Sequence, residues 1–388
     1  MKQLIKLTCI LGMLFAQMSS AQKSTSPLWL DLIPGKYDVG FKAEFLVDTT
    51  RMFPSSDSLP HALKGRPIRV KVYYPGTKQT SSLRMSFEDQ IRLYPSNPQF
   101  ATYNEVLGLR DINLQGQFGP RSDSLMRVLF RMETMAYSEI PIMEGSFPLL
   151  IYNLGLDDHQ MENSVLWEYL ASHGYIVVVI PCLGNSLENK FVHYNSKGLE
   201  GLYLDALFAL NTYRKKEYVD KERIGAIGHS FGGGVAALLA CRNSDVKAVA
   251  SLDGTINNPR AQKFIDSLNI NANTLKVPLL NLYTKAHDKD LTIVESLETP
   301  VYEVGFHSAS HFDFQNFGLF AHVMGVDDSR VVRRRSSEEG KDIVLGTIGL
   351  TKSFFDYYFF EDENGHSFIK GEGTDTERLN ELAEFKYR

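Results

Sequence analysis

The sequence is short of cysteine, of excess positive charge and, beyond its first two dozen residues, of long apolar runs. It holds three cysteines in 388 residues. None of them stands with histidine or another cysteine at the spacing of a zinc site. No metal is indicated, and no cofactor is implied. A chain this long buries enough core to dispense with a disulfide framework, so Cys182 and Cys241 read as buried free thiols. Lys and Arg number 41 against 46 Asp and Glu, a formal net charge of −5, which leaves no electrostatic footprint for nucleic acid. The one basic cluster, Arg333 to Arg335, is followed by Glu338 and Glu339 and reads as a solvated loop. There is no internal repeat and no low-complexity tract. The absences therefore exclude a nucleic-acid binder, a metal scaffold and a repeat protein.

The first apolar run is a different matter. Lys2 and Lys6 precede "LTCILGMLFA", and "SSA" ends at Ala21 with small residues where a leader would be cut. Residues 1–21 read as a secretory signal peptide whose apolar part is too short to span a bilayer. Cys9 lies inside that run without small residues just before it, so it does not read as a lipid-attachment site. No later stretch is apolar enough for an integral membrane span. The expected location is secreted or periplasmic, and residues 22–388 are expected to form one domain.

Within that domain "RPIRVKVYYPG" alternates basic and apolar residues like a half-buried strand. Residues 77–145 lack strong strand patterns, contain helix-like pieces such as "DSLMRVLFRMETMA", and read as an insertion or cap. A regular alternation follows. "FPLLIYNLG", "YIVVVIP", "RIGAIG", "VKAVASLD", "VPLLNLYT" and "PVYEV" read as strands. "NSVLWEYLASHG", "LEGLYLDALFALNTYRKK" and "GGGVAALLA" read as helices between them, with "GTIGLTKSFFDYYFF" a late helix. Such a repetition predicts an α/β fold, a mostly parallel central sheet flanked by helices. Ligands of these sheets sit at the carboxyl ends of the strands.

One stretch carries chemistry. In "RIGAIGHSFGGGVAALLA" a strand turns directly into a helix at Ser230. A turn that sharp forces its central residue into unfavourable backbone angles and requires small neighbours, here Gly228 and Gly232. It lifts the hydroxyl above the sheet and brings the Phe231 N–H, at the helix start, near an attacked carbonyl. Ser230 is the candidate nucleophile. His229 is adjacent, but neighbouring side chains diverge at such a turn, so it reads as packing. A serine needs a base, and the base needs a carboxylate. Asp253 closes the strand "VKAVASLD" ahead of Gly254. Asp288, with Asp290 nearby, follows the next strand in "KAHDKD", which has the look of a charged solvated loop. Asp253 is preferred and Asp288 remains its rival. For the base, His311 in "SHFDF" opens an apolar helix start and is preferred over His307. The loop after "FPLLIYN" should supply a second oxyanion donor, with the Leu156 N–H following the permissive Gly155.

These segments resemble the plasma-type platelet-activating factor acetylhydrolase family, a branch of the α/β-hydrolases related to the dienelactone-hydrolase-like esterases. The resemblance rests on "DKERIGAIGHSFGGGVAALL", "SLDG", "SHFDF", "GKYDVG", "RVKVYYP" and "EYLASHGYIVVVIP", and runs with gaps from about residue 35 to 360. It implies an α/β-hydrolase fold, a cofactor-free serine esterase acting on a small-molecule ester with a short acyl group, Asp253 as the acid, and Phe231 and Leu156 as oxyanion donors. Where the family usually carries His-Gly, this chain has Leu154-Gly155, so the hydrogen bonding behind the donor must differ. Two other functions use the same features: a serine peptidase on this fold, and a binding protein that has kept the fold without the chemistry.

Overall fold

The computed structural model describes residues 26–53, 65–92, 122–156, 161–186, 192–326 and 336–388. Residues 1–21, read above as a leader, lie outside the described residues, as does the basic cluster at 333–335. Eleven strands form one sheet among the described residues. In chain order they are β1 (Asp38–Asp48), β2 (Arg66–Gly76), β3 (Arg84–Ser86), β4 (Glu133–Ser138), β5 (Phe147–Asn153), β6 (Ile176–Ile180), β7 (Val219–His229), β8 (Val246–Leu252), β9 (Leu279–Thr284), β10 (Val301–Phe306) and β11 (Ala383–Tyr387). Their spatial order is β11-β10-β9-β8-β7-β5-β6-β2-β1-β4-β3. From β6 through β10 every pair is parallel. Beyond that block β2 joins β6, and β11 joins β10, antiparallel.

The parallel block is what its sequence demands. Every residue of β5, β6, β9 and β10 is buried, because helices cover both faces and a strand between them has no solvent side. Side chains still alternate between two cores. Leu150 and Tyr152 enter one layer with Trp167 of the helix Ser164–Ser172 and Phe354 of the helix Ser337–Phe360. Leu149 and Ile151 enter the other with Leu199 of the helix Ser196–Tyr213 and Leu238 of the helix Phe231–Arg242. The helix ending at Ser172 stops as its sequence indicates, with Gly174 at φ 102° just beyond it.

Two strands within 77–145 belong to the sheet. β4 runs parallel to β1 and β3 closes the far edge. The piece read as helix-like divides into a helix, Ser122–Arg131, and the strand β4. Between β3 and that helix, the helix Phe87–Arg92 is tied down by Gln90. Its side chain accepts from the Tyr73 hydroxyl at 2.7 Å and donates to Glu168 at 2.6 Å. Residues 93–121 lie outside the described residues. β11 was not visible in the sequence either. Its residues are mostly exposed, and its strand state comes from pairing with β10, not from an apolar pattern of its own. Cys182 and Cys241 form no disulfide and are half-buried rather than fully so. Among the described residues no helix is long and apolar enough to cross a membrane.

Candidate active site

β7 ends at His229 and the next helix begins at Phe231, so Ser230 alone makes the turn. Its backbone sits at φ 53° and ψ −121°, a region that costs a non-glycine residue on the order of 1–3 kcal/mol. Surrounding bonds hold it there. The Ser230 N–H donates to the Leu252 carbonyl at 3.0 Å, and the Ser230 carbonyl accepts from the Thr255 N–H at 2.8 Å and from Gly233 at 3.1 Å. The two glycines are sterically required. A Cβ on Gly228 would lie 2.0 Å from the Gly232 carbonyl oxygen, and one on Gly232 would lie 2.0 Å from that of Asn153. The second contact brings the loop after β5 against the first turn of the helix. The Leu154 carbonyl oxygen follows, 2.8 Å from the same Cβ position.

Two further loops bring the partners. His311 opens a 3-10 turn after β10, and its Nε2 lies 2.9 Å from Ser230 Oγ. Its Nδ1 lies 2.5 Å from Asp253 Oδ2. Asp253 follows β8 directly, at φ 45°, a left-handed conformation that aspartate tolerates better than most residues. Its side chain is 1% exposed. Burial alone would raise its carboxyl, but the hydrogen bond from His311 and the charges of His311 and Lys289 outweigh that and hold it at about 2. Its second oxygen, Oδ1, accepts from Lys289 Nζ at 2.6 Å and from the Thr284 N–H at 3.1 Å.

The residues set against these stand apart. Asp288 is exposed on the wall of the cleft above Ser230, while Nδ1 of His311 faces Asp253. Asp290 accepts from the Thr292 N–H at 3.0 Å, in the approach to a short helix. His307 is exposed, with its N–H on the Leu382 carbonyl. His229 is buried, as expected of packing, and does more than fill space. Its Nε2 lies 3.0 Å from the His311 carbonyl, which can only accept, so the proton is on Nε2. Nδ1 then accepts from Gln315 Nε2 at 2.9 Å. Gln315 also reaches Glu162 Oε2 at 3.3 Å, and that oxygen meets the Gly155 N–H at 3.4 Å. A buried carboxylate thus stands behind the loop after β5, with Leu154 packed into the core beside it. Phe231 is fully buried as the first residue of its helix, and Leu156 is half-buried beyond Gly155.

The cleft over Ser230 has a volume of about 500 Å³. Tyr194 borders it, its ring 5.3 Å from that of Phe231 and edge-on to Phe264 at 5.1 Å. Asn258, Arg260 and His287 give it polar walls. A larger cavity of about 640 Å³ lies elsewhere, beside Arg51 and Arg66, and holds none of the three residues above. Nothing in the sequence singled out Lys289 or Glu162. A lysine inside "KAHDKD" reads as solvent-facing until the fold turns that loop toward Asp253.

Two family models match parts of the chain. One, described as Esterase FrsA-like, covers residues 123–272. The other, BAAT / Acyl-CoA thioester hydrolase C terminal, covers residues 208–337 and includes Ser230, Asp253 and His311. No curated protein sequence matches the chain. Among solved structures, the ferulic acid esterase from Streptomyces cinnamoneus superposes with a TM-score of 0.64, at 17% identity, over 92% of this chain and 98% of its own. A likeness at that identity speaks for architecture. With its parallel block, its strand-to-helix turn at Ser230 and that superposition, the chain has the α/β-hydrolase fold.

Proposed function

We propose that the protein is an exported serine ester hydrolase that cleaves short-acyl carboxylic esters, in the manner of the platelet-activating factor acetylhydrolase branch. The observation that carries this reading is the position of His311. It bridges Ser230 and Asp253 at 2.9 and 2.5 Å, although they lie 81 and 58 residues away in the chain. A structural histidine has no need of both partners in that order. The esterase and thioester-hydrolase models and the esterase structure support hydrolysis of an acyl bond over mere binding.

In this mechanism Ser230 Oγ adds to the ester carbonyl while His311 Nε2 takes its proton. Asp253 keeps the other ring nitrogen protonated, fixing the tautomer, and stabilises the imidazolium that forms. The N–H groups of Phe231 and Leu156 receive the oxyanion, each contributing about 10²- to 10³-fold in rate. Collapse breaks the bond to the alcohol, which leaves with the proton from His311. Water, deprotonated by the same nitrogen, then releases the acid and restores Ser230. The cleft of about 500 Å³ with its polar walls suits a short acyl group and a polar alcohol. Export rests on the leader at residues 1–21.

The test is mass spectrometry after treatment with a fluorophosphonate. Ser230 should be labelled in the wild type. Asp253→Asn should slow labelling by about four orders of magnitude, because the wrong tautomer of His311 is then favoured, and Asp288→Asn should change it by no more than a few-fold. An unlabelled wild type would refute the reading, and dependence on Asp288 would reassign the acid. Acetyl, thioester and feruloyl substrates compared on the purified enzyme would rank the acyl classes. The N-terminal residue of protein recovered outside the cytoplasm would test the cleavage after Ala21.

A further inference from the structure

We propose that Lys289 is a positioning residue of the site: it shares the carboxylate of Asp253 with His311, fixes its orientation, and withholds from the imidazolium part of the charge that would stabilise it. The inference rests on the serine-hydrolase reading above. Its basis is geometric. Lys289 Nζ and His311 Nδ1 sit on different oxygens of one carboxylate, at 2.6 and 2.5 Å. The Thr284 N–H on Oδ1 completes a fixed set of donors. This differs from an ordinary surface ion pair in burial. The Asp253 side chain is 1% exposed and that of Lys289 14%, so solvent screens the pair little.

The consequence follows from counting charge. With Lys289 present, Asp253 and the lysine together are neutral, and protonating His311 leaves a net positive cluster in a buried site. Without it the carboxylate is uncompensated, and the same proton makes the cluster neutral. Removing Lys289 should therefore favour the imidazolium over the neutral ring, relative to the wild type. Other groups near His311 do not cancel this. Asp288 and His287 are exposed on the loop after β9, and Arg260 is exposed at the rim, where water screens them. Asp313, within the same turn, is engaged by the Ser310 N–H. His229 holds the His311 carbonyl, and Glu162, with Oε2 4.0 Å from His229 Nδ1, stands behind it. All of these remain in place when Lys289 is changed.

The experiment is the second-order rate of fluorophosphonate labelling at Ser230 from pH 5 to 9. It compares the wild type with Lys289→Met, Lys289→Gln and Lys289→Arg. The Met and Gln variants should move the acidic limb up by about one pH unit, so that labelling at the wild-type midpoint falls about fivefold, with little change on the alkaline plateau. Arginine should restore the wild-type limb. A merely structural lysine would lower the rate equally at every pH. That result, or an unmoved limb in variants that melt with the wild type, would overturn the proposal. Glutamine keeps a donor for Oδ1, so it decides the matter if the Met variant fails to fold. A limb that moves with Met alone would assign the role to the hydrogen bond and overturn the electrostatic part. Absence of labelling in the wild type is a separate outcome, and it counts against the serine reading.

Discussion

Gly232→Ala is the sharpest perturbation of the site. A helix interior ordinarily prefers alanine to glycine by about 1 kcal/mol, so on propensity alone the change should stabilise. The structure gives the opposite sign. The new methyl carbon would sit 2.0 Å from the Asn153 carbonyl oxygen, 2.6 Å from its carbon and 2.8 Å from the Leu154 carbonyl oxygen. All three atoms are backbone, and none can swing aside as a side chain would. Relief requires the loop after β5, or the first turn of the helix, to retreat by about an ångström. Overpacking of this kind costs about 1–3 kcal/mol. The same retreat parts the N–H groups of Phe231 and Leu156, and a displacement of that size in a catalytic group costs about 10²-fold. Urea unfolding should therefore show a loss of about 1–3 kcal/mol. In the folded variant kcat on p-nitrophenyl acetate should fall about 10²-fold. Gly349→Ala is the control, since its methyl would meet only the Phe368 ring, at 3.3 Å, and it should leave kcat unchanged. A Gly232→Ala enzyme with wild-type kcat and stability would refute the claim that this contact sets the oxyanion site.

Two further predictions concern charge. Asp205, fully buried, accepts from Arg66 at 2.6 Å through both oxygens and from Arg51 at 2.6 Å. Asp205→Ala leaves the buried Arg66 guanidinium without a carboxylate and Arg51 with Asp48 alone, and should destabilise by about 3–5 kcal/mol in urea; a loss under about 1 kcal/mol would show the cluster to be dispensable. Asp253 is held at about 2, below the ordinary aspartate value of 3.8. Its ionised form therefore stabilises the fold fully above pH 4, and that contribution is lost as the pH falls through about 2. From pH 5 to pH 3 the wild type should lose about 1 kcal/mol more unfolding free energy than Asp253→Asn; parallel losses in the two proteins would contradict the depressed value.

The central sheet was legible because β5, β6, β9 and β10 are buried throughout, and burial writes itself as continuous apolar runs such as "YIVVVIP". The turn at Ser230 was legible for a steric reason, since only glycines fit at 228 and 232. Asp253 could be favoured over Asp288 because it ends a strand before a glycine, whereas its contact with His311 depends on loops from different strands. What stayed hidden is fixed by tertiary contact alone. β3 has three residues and β11 is largely exposed, and both take strand form from their neighbours. Lys289 and Glu162 belong to segments whose composition says surface or turn, and only the docking of one loop on another reveals their partners.

The lateral order of the sheet has a consequence for how the protein is assembled. β7, β8, β9 and β10 lie side by side, and the ends of β7, β8 and β10 each deliver one of Ser230, Asp253 and His311, with Thr284 and Lys289 arriving from β9. No hairpin or isolated helix can hold the constellation, because each member waits for a distant stretch of chain to close its loop. Reactivity at Ser230 is then a clock for the whole half-sheet. In a refolding experiment it should appear only after these four strands have zipped together, and a partly opened sheet should fall silent before it loses its helices.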